Sequence, residues 1–266
     1  MKVVHSNNSY CPKAPEQFPI KESMGKSKIY SPVQVARAAY SFPSRPVVSY
    51  GLMVYARDTK RWLLVQRRHS AEFLLVLRGS YRVSILPQIL AGITLGEAEL
   101  LKGCLAGGPV KLRQVYNDLN LDLKDFHYSL TRMAECRHVL LDLLQHMTFS
   151  QSLSWNWPKG RLQRSEDQTR ETPFECALRE FREEVEVVLP GPVKVSKIPF
   201  IEKTATSSGK NLESRCWVYV VAHEFNLMES PSNDETGAVG WFGADQIRKL
   251  VTSPMLFDYV VSLGPW

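Results

Sequence analysis

The chain has 266 residues and a mass of 30.3 kDa, which leaves room for one large domain or two small ones. Its 44% hydrophobic and 23% charged residues exclude a mostly disordered chain, and 16 Pro with 15 Gly exclude a collagen-like or linker-dominated composition. The five cysteines are widely spaced and contain no C-x-x-C, so they support neither a disulfide framework nor a zinc knuckle. We expect them to be reduced, buried thiols.

Positive charge is concentrated at the N-terminus. Residues 1–46 hold seven Lys and Arg against two Glu, and so account for +5 of the net charge of +6. This Ser- and Pro-rich segment predicts a flexible basic arm that meets a polyanion such as nucleic acid, with a merely solubilising tail as the alternative. The start has no signal-peptide core, and no apolar run approaches the ~18 residues of a membrane span. We therefore expect an intracellular, cytoplasmic protein without a membrane segment, and mitochondria are the alternative location.

The part of the chain that follows the arm begins with a strand-like pattern and continues with a helical one. Residues 47–55 and 62–66 are β-branched and aromatic and flank a turn at Asp58-Thr59-Lys60, which predicts a β-hairpin. Residues 70–149 are Leu-rich and helical in pattern. Thr94-Leu95-Gly96-Glu97 forms a capping box that opens a helix to Leu105, and further helices follow Gly107-Gly108-Pro109. The histidines of this part lack a consistent i,i+4 pairing, so we expect surface or packing roles for them: His127, His138 and His146.

The second half returns to strands around one helix. A polar loop leads from Gly160 to Arg170, and a helix is predicted over 173–187, because its apolar side chains fall on one stripe that can pack on a sheet: Phe174, Leu178, Phe181 and Val185. Strands are predicted over 194–202 and 215–223, with a turn at 207–211 between them. A last strand over 239–242 precedes a helix that begins near Ala244.

Three carboxylates share one edge of the 173–187 helix. Glu180 and Glu184 are one turn apart and Glu183 is three residues from Glu180. Like-charge pairs at this spacing repel each other by a few tenths of a kcal/mol, and a divalent cation removes the conflict. Hard oxygen ligands without thiolate or imidazole favour Mg²⁺ or Mn²⁺ over Zn²⁺. On its own, however, an E-x-x-E-E pattern is more typical of a solvated helix face than of a metal site.

The surroundings of these carboxylates add a longer pattern. From Gly160 through Glu171 and Arg179 the chain follows G-x10-E-x7-R-E-F-R-E-E-V-E-V. This resembles the Nudix box, G-x5-E-x7-R-E-U-x-E-E-x-G-U, in which U is aliphatic. Two departures stand out. The loop between Gly160 and Glu171 is five residues longer than usual, and Glu186 replaces the Gly that most easily adopts the left-handed conformation at the helix end.

Two further patches resemble the Nudix enzymes that remove mRNA caps, including the cellular decapping enzyme. Trp155-Asn156-Trp157-Pro158-Lys159-Gly160 is similar to their W-x-x-P-K-G entry, and Glu235 stands six residues before Trp241 as in those enzymes. The segment 64–70 and the Leu-rich insertion resemble the decapping enzymes of large DNA viruses, of the asfarvirus and poxvirus type, whose place of action would be the host cytoplasm. The resemblance covers 47–250 in layout, and 1–46 has no counterpart.

The resemblance implies a fold and a domain plan. The fold class is α+β, a Nudix α/β/α sandwich with a mixed central sheet, a mainly helical insertion and a basic N-terminal arm. The corresponding bounds are 1–46 for the arm, 47–266 for the Nudix hydrolase domain and 75–150 for the insertion.

The resemblance also implies a set of site residues. Glu180, Glu183 and Glu184 are then the ligands of Mg²⁺ or Mn²⁺, together with the main-chain carbonyl of Lys159. Glu235 is the additional acid that binds a metal or assists the attacking water. Arg179 orients the carboxylates, with Gly160 and Glu171 in supporting places.

The implied reaction is hydrolysis of the mRNA 5′ cap to methylated GDP and 5′-monophosphorylated RNA, with capped RNA as partner. Trp155 and Trp157 are candidates for stacking on the cap, and Lys159, Arg67 and Arg68 for contacts with phosphates or RNA. Core packing of Trp157 and a solvated strand end at the arginines are the alternatives. The insertion is a candidate RNA-binding lobe or a stabilising or interaction element. Two other functions stay open: hydrolysis of small nucleoside diphosphate derivatives, dinucleoside polyphosphates or diphosphoinositol polyphosphates, and a noncatalytic RNA-binding scaffold on a Nudix fold.

Overall fold

The computed structural model describes residues 46–163, 171–205, 211–229, 231–251 and 254–262. All but the last residue of the predicted basic arm 1–46 lies outside this part of the chain. So do most of the predicted turn at 207–211 and the stretch 164–170 of the lengthened loop.

A mixed β-sheet forms the centre of the protein. Within the described residues its strands are β1 (Val47–Ala56), β2 (Arg61–Arg67), β3 (Trp155–Asn156), β4 (Lys159–Gly160), β5 (Lys194–Val195), β6 (Phe200–Ala205), β7 (Asn211–Val221) and β8 (Thr236–Phe242). β1 and β7 run parallel over their whole paired length, from Val47 opposite Leu212 to Ala56 opposite Val221. The other strand pairs are antiparallel. The predicted strand over 194–202 is divided into β5 and β6, which pair separately with β7.

The predicted β1–β2 hairpin is present but opens immediately. Its two strands pair only at Tyr55 with Trp62 and at Ala56 with Arg61. Beyond this point β3 pairs with β2 and β4 pairs with β1, so that residues 155–160 fill the gap between the diverging strands. A Cβ on Gly51 would lie 2.4 Å from the carbonyl oxygen of Pro158, so the close approach requires glycine. This inserted segment, residues 155–160, is called the wedge below. It brings Lys159 and Gly160 to the middle of the sheet.

Helices cover both faces of this sheet. On one face α6 (Pro173–Val185) buries Cys176, Ala177 and Phe181 against inward side chains of β1, β2 and β7. On the other face α7 (Ala244–Leu250) and α8 (Pro254–Ser262) contribute Ile247, Phe257 and Val260 to a second core. The remaining described helices lie between β2 and β3 in the chain. The expected α+β class and three-layer arrangement are confirmed.

The segment between β2 and β3 is helical and has its own apolar core. Its helices are α1 (Ala71–Leu77), α2 (Leu86–Leu90), α3 (Leu95–Asp118), α4 (Phe126–Glu135) and α5 (Arg137–His146). Side chains such as Phe73, Leu90 and Tyr116 are fully buried in this core. Gly108 interrupts α3 at φ 60° immediately before Pro109, where the sequence predicts a break. Among the described residues, no helix combines the length and hydrophobicity needed to cross a bilayer.

The cysteines and histidines of the described residues behave as expected. Four cysteines are buried and free of disulfides: Cys104, Cys136, Cys176 and Cys216. The fifth, Cys11, lies outside the described residues. The histidines of the insertion are exposed, which agrees with surface roles.

Glu97 joins the start of α3 to the start of α1, the first helix after β2. Its buried carboxylate accepts hydrogen bonds from the main-chain N–H of Ser70 at 2.6 Å, from the Ser70 hydroxyl at 2.9 Å and from the N–H of Thr94 at 2.8 Å. Burial works to raise the pKa of Glu97, but His69, 3.8 Å from the carboxylate, and the hydrogen bonds from Thr94 and Ser70 together lower the pKa below its ordinary value. The predicted capping box is therefore also a tertiary anchor.

Replacement of this carboxylate should weaken the fold in a pH-dependent way. We expect Glu97→Gln to lower the free energy of unfolding by about 2 kcal/mol near neutral pH, because an amide N–H faces donors that an ionised carboxylate accepts. The folded-state pKa is depressed, so this contribution is present above the ordinary value of 4.5 and disappears as the pH falls through the lower folded-state pKa. Urea unfolding of both proteins at several pH values measures the difference.

Glu99→Gln is the matched control, since Glu99 is two residues away on the same helix and pairs with Lys102 at the surface. It should cost no more than about 1 kcal/mol. Equal losses for the two variants would contradict the anchor.

Candidate active site

The helix that carries the carboxylates begins and ends with well-defined contacts. Thr172 accepts a hydrogen bond from the N–H of Glu175, whose side chain accepts from the N–H of Thr172, and Pro173 occupies the first turn. α6 ends at Val185, two residues earlier than predicted, because Glu186 adopts the left-handed conformation at φ 56° and ψ 28°. The residue that replaces the expected Gly therefore takes up the conformation that favours Gly.

The three glutamates of α6 that are candidate metal ligands differ in exposure. Glu184 is buried and the Glu180 side chain is 13% exposed, whereas that of Glu183 is 52% exposed. The helix face that packs on the sheet carries Glu184 inward beside Val185, and Glu180 lies one turn earlier on the same edge. Two of the predicted ligands thus lie at the boundary between the helix and the sheet, and the third faces solvent.

Arg179 ties this edge of the helix together. Its guanidinium donates to Glu180 and to Glu183 at 2.8 Å each, and to both carboxylate oxygens of Glu171 at 2.8 and 3.1 Å. It also donates to the main-chain oxygen of Arg161 at 2.9 Å, in the loop that follows β4. Hydrogen bonding to Arg179 holds the pKa of Glu171 below its ordinary value. Arg179 thus contacts three carboxylates of the candidate site, while its orienting role and the supporting role of Glu171 stay predictions.

Burial makes the negative charge at Glu184 and Glu180 unfavourable. Burial is the main cause that raises the pKa of Glu184 to about 8, and the carboxylates of Glu180 and Glu235 act in the same direction. Arg67 and the N–H of Lys159, which donates to Glu184 at 3.0 Å, favour the ionised form. The pKa of Glu180 is also raised, again mainly by burial and despite its bond with Arg179.

β4 approaches the carboxylates at a glycine. A Cβ built on Gly160 would lie 2.1 to 2.2 Å from the carboxylate atoms of Glu180. Any side chain at this position would displace that carboxylate, so Gly160 forms one wall of the site. The main chain of Lys159 forms a neighbouring wall through its bond with Glu184. The use of the Lys159 carbonyl as a metal ligand stays a prediction.

Glu235 comes from the loop before β8 and is exposed. Its charge acts on both Glu180 and Glu184, which places it on the same side as the two helix carboxylates. This loop is bonded to Glu186 at the end of α6, whose carboxylate accepts hydrogen bonds from Ser232 and Asn233. Sequence reasoning did not find these contacts, although a Glu in a position that favours Gly is the signal that its side chain has a partner.

The aromatic and basic candidates separate into different roles. Trp157 is 4% exposed and packs against Trp62 and Phe257 in the core, so the expectation that it stacks on a cap is wrong and the packing alternative holds. Trp155 is half-buried edge-on to Phe242 and stays a candidate.

The two neighbouring arginines also differ. Arg67 is exposed beside Glu184 and stays a candidate for phosphate contact. Arg68 donates instead to the main-chain oxygens of Pro231, Asn233 and Thr236. These bonds all start from one guanidinium nitrogen and tie Arg68 to the loop, while its predicted contact with phosphate or RNA stays a prediction.

The donor chemistry of the cluster fits a hard divalent cation. Glu180, Glu184 and Glu235 oppose each other electrostatically, and a cation between carboxylates relieves that repulsion. Arg179 uses Oε1 of Glu180 and Lys159 uses Oε2 of Glu184, so each group keeps one oxygen that these bonds do not use. In the arrangement shown, no set of three or more His, Cys, Asp or Glu of the described residues converges on one point. The carboxylate side chains around Arg179 would therefore have to rotate when a divalent cation binds.

Part of the chain, including most of the candidate site, matches a known family model. Residues 137–256, which include α6, Gly160 and Glu235, match the family model for the NUDIX domain. No curated protein matches the chain. The predicted Nudix fold class is confirmed, with the mixed sheet between layers of helices.

Several solved structures are similar to the chain at low sequence identity. A NUDIX hydrolase from Nitrosomonas europaea is 12% identical, with 81% of this chain and 86% of that chain covered and a TM-score of 0.37. An Ap4A hydrolase from C. elegans is 11% identical, with 81% and 97% covered and a TM-score of 0.36. The NUDIX domain of Shewanella oneidensis NrtR, complexed with ADP ribose, is 9% identical, with 89% and 100% covered and a TM-score of 0.41.

A methyl group at Gly160 tests whether Mn²⁺ binding depends on the position of the Glu180 carboxylate. We expect Gly160→Ala to move the Glu180 carboxylate while the fold is retained, because the group that must shift is the end of a flexible side chain. The midpoint of Mn²⁺ binding should therefore rise about tenfold or more, with little change in Tm. Electron paramagnetic resonance of Mn²⁺ and thermal unfolding measure the two effects.

Gly96→Ala is the control, since a Cβ at Gly96 meets nothing within 4 Å. Unchanged Mn²⁺ binding by Gly160→Ala would show that Glu180 is not a ligand.

Proposed function

We propose that this protein, which contains a NUDIX domain, is a metal-dependent hydrolase of diphosphate linkages. Proteins of this family generally use divalent metal ions. The observation that carries the proposal is the placement of Glu180 and Glu184 on one edge of α6 against Gly160 and Lys159, with Glu235 near enough for its charge to act on both. A protein that only needed a stable fold would gain nothing from burying Glu184 beside two other carboxylates.

The residues of the cluster have different tasks in this proposal. Glu180, Glu183, Glu184 and the carbonyl of Lys159 would hold Mg²⁺ or Mn²⁺. When bound, the cation neutralises phosphate charge and lowers the pKa of its water. Arg179 fixes the orientation of Glu180 and Glu183 through its two 2.8 Å bonds. Glu235 is exposed and is not one of the carboxylates that Arg179 binds. Its carboxylate is therefore the one that accepts the proton of the attacking water.

The substrate we propose is capped RNA, which would give methylated GDP and 5′-monophosphorylated RNA. The resemblance in 155–160 and at Glu235 and Trp241 supports this choice, together with the basic composition of 1–46. The insertion reaches the site, because Asn120 donates a hydrogen bond to Asp234 at 3.0 Å beside Glu235. Residues 75–150 contain eight Lys and Arg but seven Asp and Glu, so charge attraction to RNA would come from the arm.

A small diphosphate compound is the second candidate. The burial of Trp157 favours it, because only Trp155 of the two predicted stacking residues is then left for a cap. The same carboxylate cluster would serve dinucleoside polyphosphates or diphosphoinositol polyphosphates, since substrate choice depends on the flanking elements.

Hydrolysis of an RNA radiolabelled only in its cap tests the proposed function. We expect the protein with Mn²⁺ to release methylated GDP. Glu184→Gln should release it at least about 100-fold more slowly, because one carboxylate of the site loses its charge. Chromatography of the products beside a methylated GDP standard makes the measurement. Glu99→Gln, a substitution outside the cluster, should release product at the wild-type rate.

The other outcomes identify the alternatives. Hydrolysis of small diphosphates without release from capped RNA would favour the second candidate. Long uncapped RNA should inhibit a decapping enzyme strongly and a hydrolase of small compounds weakly. An absence of hydrolysis together with an absence of Mn²⁺ binding would favour a noncatalytic scaffold.

A further inference from the structure

The loop over residues 231–236 is organised around Asn233. Its side-chain oxygen accepts hydrogen bonds from the main-chain N–H groups of Glu235 at 3.1 Å and Thr236 at 2.6 Å. These bonds fix the backbone on which Glu235 stands. The orientation of Glu235 therefore depends on where Asn233 is held.

Asn233 is held by the end of α6. Its side-chain amide donates to the main-chain oxygen of Glu183 at 3.0 Å and to the carboxylate of Glu186 at 3.1 Å, and its N–H donates to Glu186 at 2.7 Å. Ser232 donates to the same carboxylate from its N–H and its hydroxyl, both at 2.9 Å. Glu186 thus accepts four hydrogen bonds from two consecutive loop residues.

A second anchor holds the other side of the loop. The N–H of Arg68 donates to the main-chain oxygen of Glu235 at 2.8 Å, and its guanidinium donates to those of Pro231 and Asn233 at 3.3 and 3.0 Å. Residues at the ends of β2 and α6 therefore form hydrogen bonds with the same loop, residues 231–236. The loop connects the strand that carries Arg67 with the helix that carries Glu180 and Glu184.

Glu186 is an unfavourable choice for its position by local criteria. Its backbone has φ 56°, which favours Gly, and a negative charge at a helix C-terminus opposes the helix dipole. The four bonds to the loop are what this side chain provides in return, and they cannot be supplied by Gly.

We infer that Glu186 is a positioning residue, which acts through Asn233 to hold the Glu235 carboxylate against the carboxylates of Glu180 and Glu184. The inference rests on the proposed function for its effect on turnover. Its structural part, the hold on the loop, is independent of the substrate.

Glu186→Gly is the most informative substitution, because it suits the backbone conformation and removes the four bonds. We expect kcat to fall roughly tenfold with a smaller change in KM, since Glu235 loses its orientation and not its charge. Mn²⁺ binding should weaken, and amide exchange at Ser232, Asn233, Glu235 and Thr236 should accelerate. Thermal unfolding should show no matching loss of Tm. Glu186→Gln keeps an oxygen acceptor and should restore part of kcat.

Lys60→Gly is the matched control, since Lys60 is another non-glycine residue with positive φ, at 57°, in the turn between β1 and β2. It gives the same backbone relief without touching the loop, and kcat and Mn²⁺ binding should stay at wild-type values. A double-mutant cycle with Glu235→Gln supplies the second check. If Glu186 acts through Glu235, Glu186→Gly should add little to the loss caused by Glu235→Gln.

Two results would overturn the inference: wild-type kcat and Mn²⁺ binding in Glu186→Gly, or a full additional loss when it is combined with Glu235→Gln. Failure of the proposed function looks different. In that case the wild-type protein hydrolyses no diphosphate compound, while Glu186→Gly still accelerates amide exchange in the loop and weakens the binding of Mn²⁺ alone.

Discussion

The concentration of negative charge between α6 and β4 is the constraint on which the site depends. Glu184 is buried, Glu180 is nearly so, and Glu235 acts on both. Burying carboxylates costs free energy unless hydrogen bonds or opposite charges offset it. Arg179 compensates Glu180, Glu183 and Glu171, but it does not supply the bond to Glu184. Glu184 instead depends on the N–H of Lys159 and the nearby charge of Arg67.

This division explains why the surrounding backbone is so closely specified. The bond from Lys159 to Glu184 requires β4 to lie against α6, and β4 reaches that place only because β1 and β2 separate after two residue pairs. Gly51 admits the wedge on one side, and Gly160 admits the Glu180 carboxylate on the other. The core on the opposite face, with Trp157 against Trp62 and Phe257, holds the wedge from behind. The sheet, the wedge and the carboxylates form one packing arrangement.

The parts of this arrangement that arise locally can be predicted from the sequence. The capping boxes at Thr94 and Thr172 involve residues three apart, and the edge shared by Glu180 and Glu184 follows from helical periodicity. The β1–β2 turn and the break at Gly108 are also local features.

The features that the sequence does not reveal depend on contacts between distant segments. Trp157 is buried by Trp62 and Phe257, one far before it and one far after it in the chain, so its aromatic character alone could not decide between stacking on a ligand and packing in the core. Arg68 was a candidate for phosphate contact because it is basic and follows a strand, yet its partners are carbonyl oxygens more than 160 residues later. Residue type indicates what a side chain can bind, whereas the fold determines which partner lies next to it.

Glu186 shows how a departure from a local preference can be informative. A Gly at this position would end α6 without strain, but it would remove the carboxylate to which Ser232 and Asn233 donate. Glu accepts the less favourable backbone conformation and connects the two segments through Ser232 and Asn233. The pKa of Glu186 is lowered, first by the N–H of Ser232, so the charge that opposes the helix dipole is the same charge that the loop donors favour. The end of the helix and the placement of Glu235 are therefore one structural problem in this protein, and a single side chain solves both.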